Sequence, residues 1–127
     1  EMTIDQFLDR LRPLRWEFNG WGQIRSADLT TVSGVPCCPV AVLLPAWKRY
    51  NIPSQMDIAE LGLPGKLADR IMTAADSLYR ETELRRRMLA ACGLEARAQL
   101  RAAWSARRLR ILALKRSTAA HWRSGRD

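Results

Sequence analysis

Leu14-Arg15-Trp16-Glu17-Phe18-Asn19-Gly20-Trp21-Gly22-Gln23-Ile24-Arg25 is the stretch that decides the fold class. Two alternating runs with aromatic residues flank Asn19-Gly20, and both turn residues accept positive φ, so the pattern predicts a β-hairpin. The reading places strands over Leu14–Phe18 and Trp21–Arg25 with a two-residue turn between them. Trp16 and Phe18 share one side of the first strand, and Trp21 is placed to cross-pair with one of that strand's residues. A lone hairpin is marginal in water, so it must pack on helices. The rest of the chain reads as helical. The expectation is an α+β protein, mostly α-helical: an N-terminal helix and β-hairpin packed on a small helical bundle, with a long basic C-terminal helix.

Upstream, Thr3-Ile4-Asp5-Gln6 has the form of a capping box, and Met2 and Phe7 are spaced as a hydrophobic staple around it. Ile4, Phe7, Leu8 and Leu11 fall on one helical face. Pro13 ends that helix near Arg12. Downstream, Ser26–Pro36 reads as a polar loop with a third short strand near Thr31-Val32. Pro39 suits a first helical position with Cys38 as N-cap, and Val40, Ala41, Leu43, Leu44 and Trp47 form a buried helix kinked or restarted by Pro45. Ser54 starts a helix that Gly62 stops, and Pro64 opens another through Leu67, Ala68, Ile71, Met72 and Ala75. A helix from about Thr82 to Cys92 ends at Gly93, with Glu81–Arg85 and Glu83–Arg87 as i,i+4 pairs. From Glu95 to about Trp122 no Pro or Gly intervenes, and Ala, Leu and Arg dominate, which predicts one long helix.

Charge divides the chain. Residues 80–127 carry 13 Lys and Arg against 4 Asp and Glu, while residues 1–79 carry 8 against 9, so the formal net charge of +8 arises at one end. A concentrated positive field attracts polyanions and speeds their association. The expected organisation is a compact near-neutral domain over 1–94 and a basic helical arm over 95–127. On the arm, Arg97, Arg101, Arg107, Arg108, Arg110, Lys115 and Arg116 are candidate phosphate contacts for DNA or RNA. Trp104, Ile111 and Leu114, with Leu100 and Ala103, form an apolar stripe expected on a separate side from the arginines. That stripe is a candidate interface with a protein partner or a second copy of the chain.

Other chemistry is thinly represented. A thiol at a helix N-terminus favours the thiolate, so Cys38 is the one candidate nucleophile, but a base is needed and the only histidine is His121. Cys37, Cys38, Cys92 and His121 lack metal-site spacing. The segment from Ile58 to Ile71 has the order of a helix-turn-helix, which would turn Lys66, Asp69 and Arg70 to a groove, but any short αα-hairpin gives the same order. At 47% hydrophobic and 27% charged residues the composition is ordinary for a globular domain. The longest apolar run, Val40–Trp47, falls short of the ~18 residues a membrane helix needs. The odd cysteine count fits a reduced, cytoplasmic setting. The expectation is binding without catalysis, with no metal, cofactor, membrane or small-molecule substrate.

Trp21-Gly22-Gln23-Ile24-Arg25, Cys38-Pro39-Val40-Ala41-Val42, Leu61-Gly62-Leu63, Ala74-Ala75-Asp76 and Leu89-Ala90-Ala91-Cys92-Gly93-Leu94 together resemble a group of small hypothetical proteins from phages and prophages, over about residues 4–94. The resemblance brings no catalytic residues. Such proteins typically stop near the Cys-Gly-Leu ending, so it implies that the arm is an addition. It also implies a bacterial host and a role in binding phage or host machinery. That could be a nucleic-acid accessory factor, an anti-defence (anti-CRISPR-like) inhibitor or a self-assembling structural factor.

Overall fold

The computed structural model describes residues 1–77 and 81–124, so the last three residues of the expected arm, 125–127, lie outside the described residues. The chain divides into two compact units, Glu1–Glu95 and Ala96–Asp127. Charge divides at the same place. The first unit has 12 basic and 12 acidic side chains and no net charge, and the second has 9 against 1 and carries the entire +8.

The first unit is the expected α+β fold. Helix α1 spans Ile4–Leu11, with Thr3 and Gln6 exchanging both hydrogen bonds of the capping box. It buries Phe7, Leu8 and Leu11, and Met2 is buried beside its start. Strands β1 (Trp16–Phe18) and β2 (Ile24–Ser26) pair antiparallel, Trp16 opposite Ser26 and Phe18 opposite Ile24. Helices α2 (Gln55–Glu60), α3 (Gly65–Asp76) and α4 (Glu83–Ala91) follow. α3 packs on α4, α2 and β2, and α1 packs on α4. The shared core holds Phe7, Leu11, Ile24, Val40, Ile71, Ala75, Met88 and Leu94. Trp16 is buried against this core, and its indole N–H donates to the Leu11 carbonyl at 2.9 Å.

The hairpin turns differently from the two-residue expectation. Gly22, not Gly20, takes positive φ (74°). The Gly22 N–H donates to the Asn19 carbonyl, and the Asn19 N–H donates to the Gln23 carbonyl, so Gly20-Trp21-Gly22 is a three-residue loop ending in a left-handed glycine. The Asn19 side chain fixes it by accepting from the Trp21 and Gln23 N–H groups. Trp21 therefore sits in the loop, 81% exposed, rather than cross-paired with Trp16 or Phe18.

Three further expectations are corrected. Near Thr31-Val32 there is only an isolated bridge between Thr30 and Pro36. The helix expected from Pro39 to Trp47 is two 3-10 turns, Ala41–Leu43 and Ala46–Lys48. Pro45 forces Leu44 into an extended conformation (ψ 156°), since a residue before proline is driven from the helical region, and the helix cannot propagate. Trp47 is consequently exposed. The pairs Glu81–Arg85 and Glu83–Arg87 do not form. Arg86 takes both acids, Arg87 reaches Asp5 on α1, and Arg85 turns inward.

α2 and α4 end alike. Gly62 and Gly93 adopt φ of 76° and 69°. The next residues, Leu63 and Leu94, donate their N–H groups back to Ile58 and Leu89, and both leucines are buried. This is the glycine-and-leucine closure of a helix C-terminus, six-to-one and five-to-two bonds together. α3 lacks such a glycine. Its Ala74 and Ala75 carbonyls accept instead from the buried Arg85 guanidinium at 2.6 and 3.4 Å.

Candidate nucleic-acid interface

The second unit is helix α5, Glu95–Ser124, 30 residues long, against the roughly 25 that sequence suggests. At 1.5 Å per residue it extends for about 45 Å. Its large apolar side chains, among them Leu100, Trp104, Leu109, Leu114 and Trp122, are exposed. At about 100° per residue, Leu100, Trp104, Ile111 and Trp122 form one row, and Arg97, Arg101, Arg108 and Lys115 form the row directly beside it. The arginine and apolar faces expected to be separate are thus one face.

The side chains confirm the merging. The Arg107 guanidinium lies over the Trp104 ring, 5.5 Å from its centroid, as expected for a cation over an aromatic face at i,i+3 spacing. Arg101, Trp104, Arg107, Arg108, Ile111 and Lys115 line one shallow patch. A second hollow follows along the helix, lined by Ile111, Leu114, Lys115, Thr118 and Trp122. Of the seven candidate phosphate contacts, Arg101, Arg107, Arg108 and Lys115 are brought together, with Arg97 one turn earlier in the same row. Measured from Trp104, those four lie within about 60°, whereas Arg110 and Arg116 lie about 120° away on opposite sides at the helical repeat. Counting charge does not separate these groups; counting helical angle does. Ser105 and Leu112 complete the patch and carry no signal in sequence beyond that angle.

The other candidate sites are structural in geometry. Cys38 is buried, and its Sγ accepts the Ala41 N–H at 3.4 Å, which caps a 3-10 turn rather than an α-helix. Burial pushes the Cys37 thiol up, with Arg49 pulling it partly back and Cys38 adding to the rise. Burial alone pushes Cys92 up to about 12. Both shifts disfavour thiolate. Lys66, Asp69 and Arg70 are exposed on α3, whose Ala68 and Ile71 are buried, and α2 before it has only six residues. Among the described residues no three His, Cys, Asp or Glu side chains could hold a metal ion, and no helix is long and apolar enough to cross a membrane.

Compared with known proteins, the chain matches no family model, no curated protein and no solved structure.

Proposed function

We propose that this is a binding protein without catalysis that associates with nucleic acid through α5, as an accessory or regulatory factor of a mobile element in a bacterial cell. The observation that carries the reading is the patch in which Arg101, Arg107, Arg108 and Lys115 surround Trp104. Basic groups follow a phosphate backbone, and an interleaved aromatic ring offers a stacking platform to an unpaired base. Glu95 is the only acidic residue of α5, so the helix does not neutralise itself.

The test is affinity for duplex and single-stranded DNA and RNA, measured against salt. With Arg97, Arg101, Arg107, Arg108 and Lys115 engaged, log affinity falls against log salt with a slope of about −4.5 on duplex and about −3.5 on a single strand. Replacing Arg101, Arg108 and Lys115 with alanine lowers the slope by about 2 to 3, whereas Arg110→Ala with Arg116→Ala changes it less. No binding at low salt, or a flat salt response, removes the proposal.

One observation favours a second reading. Trp104, Leu114 and Trp122 are between 60% and 68% exposed along one side of α5. Docking of this helix on an acidic protein surface, as an inhibitor of host machinery, would cover them. Salt-sensitive retention of an acidic protein partner, lost in a Trp104→Ala, Leu114→Ala variant and without retention of nucleic acid, would support it.

A further inference from the structure

The first unit has an exposed apolar surface of its own, built by four segments that hydrogen bonds and ion pairs tie together. The Val32 N–H donates to the Arg49 carbonyl at 2.8 Å, joining the 31–35 turn to the segment before α2. Asn19 and Gln23 of the hairpin loop line a small cleft with Thr31, Val35 and Asn51. Lys48 lies over the Trp47 ring at 4.8 Å and pairs with Asp57 and Glu60 of α2. On these four segments, Trp21, Val32, Trp47, Tyr50, Ile52 and Met56 are between 51% and 81% exposed.

Area and charge together select the occupant. Taking ~150–250 Å² for each aromatic side chain, Trp21, Trp47 and Tyr50 alone expose roughly 300–500 Å², and Val32, Ile52 and Met56 add to it. The largest patch of an ordinary monomer is roughly 300–600 Å², and each partner of a standard interface contributes about 800 Å². Around the patch Lys48 is paired with Asp57 and Glu60 and Arg25 with Asp76, while Arg49 donates to the Leu44 carbonyl. The unit as a whole has no net charge. Two copies can therefore meet through this surface without like-charge repulsion. Two α5 helices cannot, since each adds eight basic residues against one acidic. Trp and Tyr also dominate the energetic centres of interfaces, and an isologous contact needs one self-complementary patch.

We infer that the chain forms a two-fold dimer through the Trp21–Trp47–Ile52 surface of its first unit, and that α5 is not the dimer contact. The inference stands apart from the nucleic-acid reading. A dimer would present two basic helices to one polyanion, and avidity would follow from linkage alone.

Sedimentation equilibrium of the full chain tests it, at about 0.5 M salt so that charge on α5 is screened. The expected mass at tens of micromolar is twice the 14.5 kDa of the chain. Trp47→Glu with Ile52→Glu weakens the dimer by at least ~100-fold, with an unchanged circular dichroism spectrum because both side chains lie outside the core. Trp21→Ala with Met56→Ser, on other segments of the surface, weakens it independently and covers the event that the first pair misfolds. Trp104→Ala with Leu114→Ala leaves it unchanged. A wild-type monomer under these conditions overturns the inference. So does a dimer that survives both first-unit pairs, or one lost only in the α5 pair.

Discussion

Arg85 offers the sharpest test of how the first unit is held together. Its side chain is 5% exposed and closes the C-terminus of α3 through the Ala74 and Ala75 carbonyls. Burial lowers its pKa, so the guanidinium is desolvated, and the hydrogen bonds must offset that cost. In Arg85→Ala the short bond to Ala74 is lost, worth about 1.5–3 kcal/mol for a charged donor. The buried alkyl stem is lost as well, and the returned hydration of the charge offsets part of both. The net expectation is a loss of about 2–3 kcal/mol, or roughly 6–15 °C in Tm for a domain of this size. Arg85→Met keeps the stem and loses about 1.5–2 kcal/mol, mostly from the carbonyls left without a donor. Arg86→Ala, an exposed side chain with ion pairs at 3.5 and 3.8 Å, changes stability by less than about 0.5 kcal/mol. The assay is guanidinium unfolding followed through tryptophan emission, expected to shift red as buried Trp16 of the first unit becomes exposed. Equal midpoints for Arg85→Ala and Arg86→Ala would refute the capping role.

Three other outcomes follow from the same geometry. Gly93→Ala destabilises by about 1–2 kcal/mol in the same unfolding assay, from the left-handed backbone alone, because nothing lies within 4 Å of the added Cβ; Gly65→Ala, equally open but without positive φ, stabilises by about 0.4–1 kcal/mol. For Cys92, burial raises the folded pKa to about 12, above the ordinary thiol value of about 8.5, so its stabilisation is complete below that ordinary value and declines as pH rises towards 12. Unfolding free energy should fall by up to ~1.4 kcal/mol per pH unit in that window, and Cys92→Ala should show a shallower decline over the same titration. Trp104→Ala lowers single-strand affinity by about 5- to 150-fold in a fluorescence binding assay, with a smaller effect on duplex, since stacking needs an unpaired base.

Much of the fold is legible in sequence wherever a local rule acts alone. The Thr3–Gln6 box, the Ser54 and Thr82 caps and the Gly62 and Gly93 stops each use backbone groups a few residues away, and all are found in place. Misreadings arise where one local signal competes with another. Asn19-Gly20 and Gly22 both offer a turn, and the Asn19 side chain selects the longer loop by holding the Trp21 and Gln23 N–H groups. The Val40–Trp47 run has helical spacing, but Pro45 acts on its predecessor more strongly than apolar periodicity acts on the run. Arg85, Arg86 and Arg87 are indistinguishable by type. Only the packing of α4 against α3 and α1 decides that one goes inward, one pairs locally and one crosses to Asp5. For the candidate site, the residues were legible and their grouping was not. Basic and apolar positions read as separate stripes in sequence, whereas the rows at i+3 and i+4 are neighbours on the helix surface.

The coincidence of the charge boundary with the structural boundary also bears on colloidal behaviour. A protein whose net charge approaches zero loses the mutual repulsion that keeps copies apart in solution. Here that repulsion is supplied wholly by Ala96–Asp127, while the first unit supplies the exposed Trp and Ile surface and no net charge. A polyanion lying along α5 would cancel the repulsion and leave the adhesive surface in place. Occupancy of the basic helix would in this way tighten the pairing inferred for the first units.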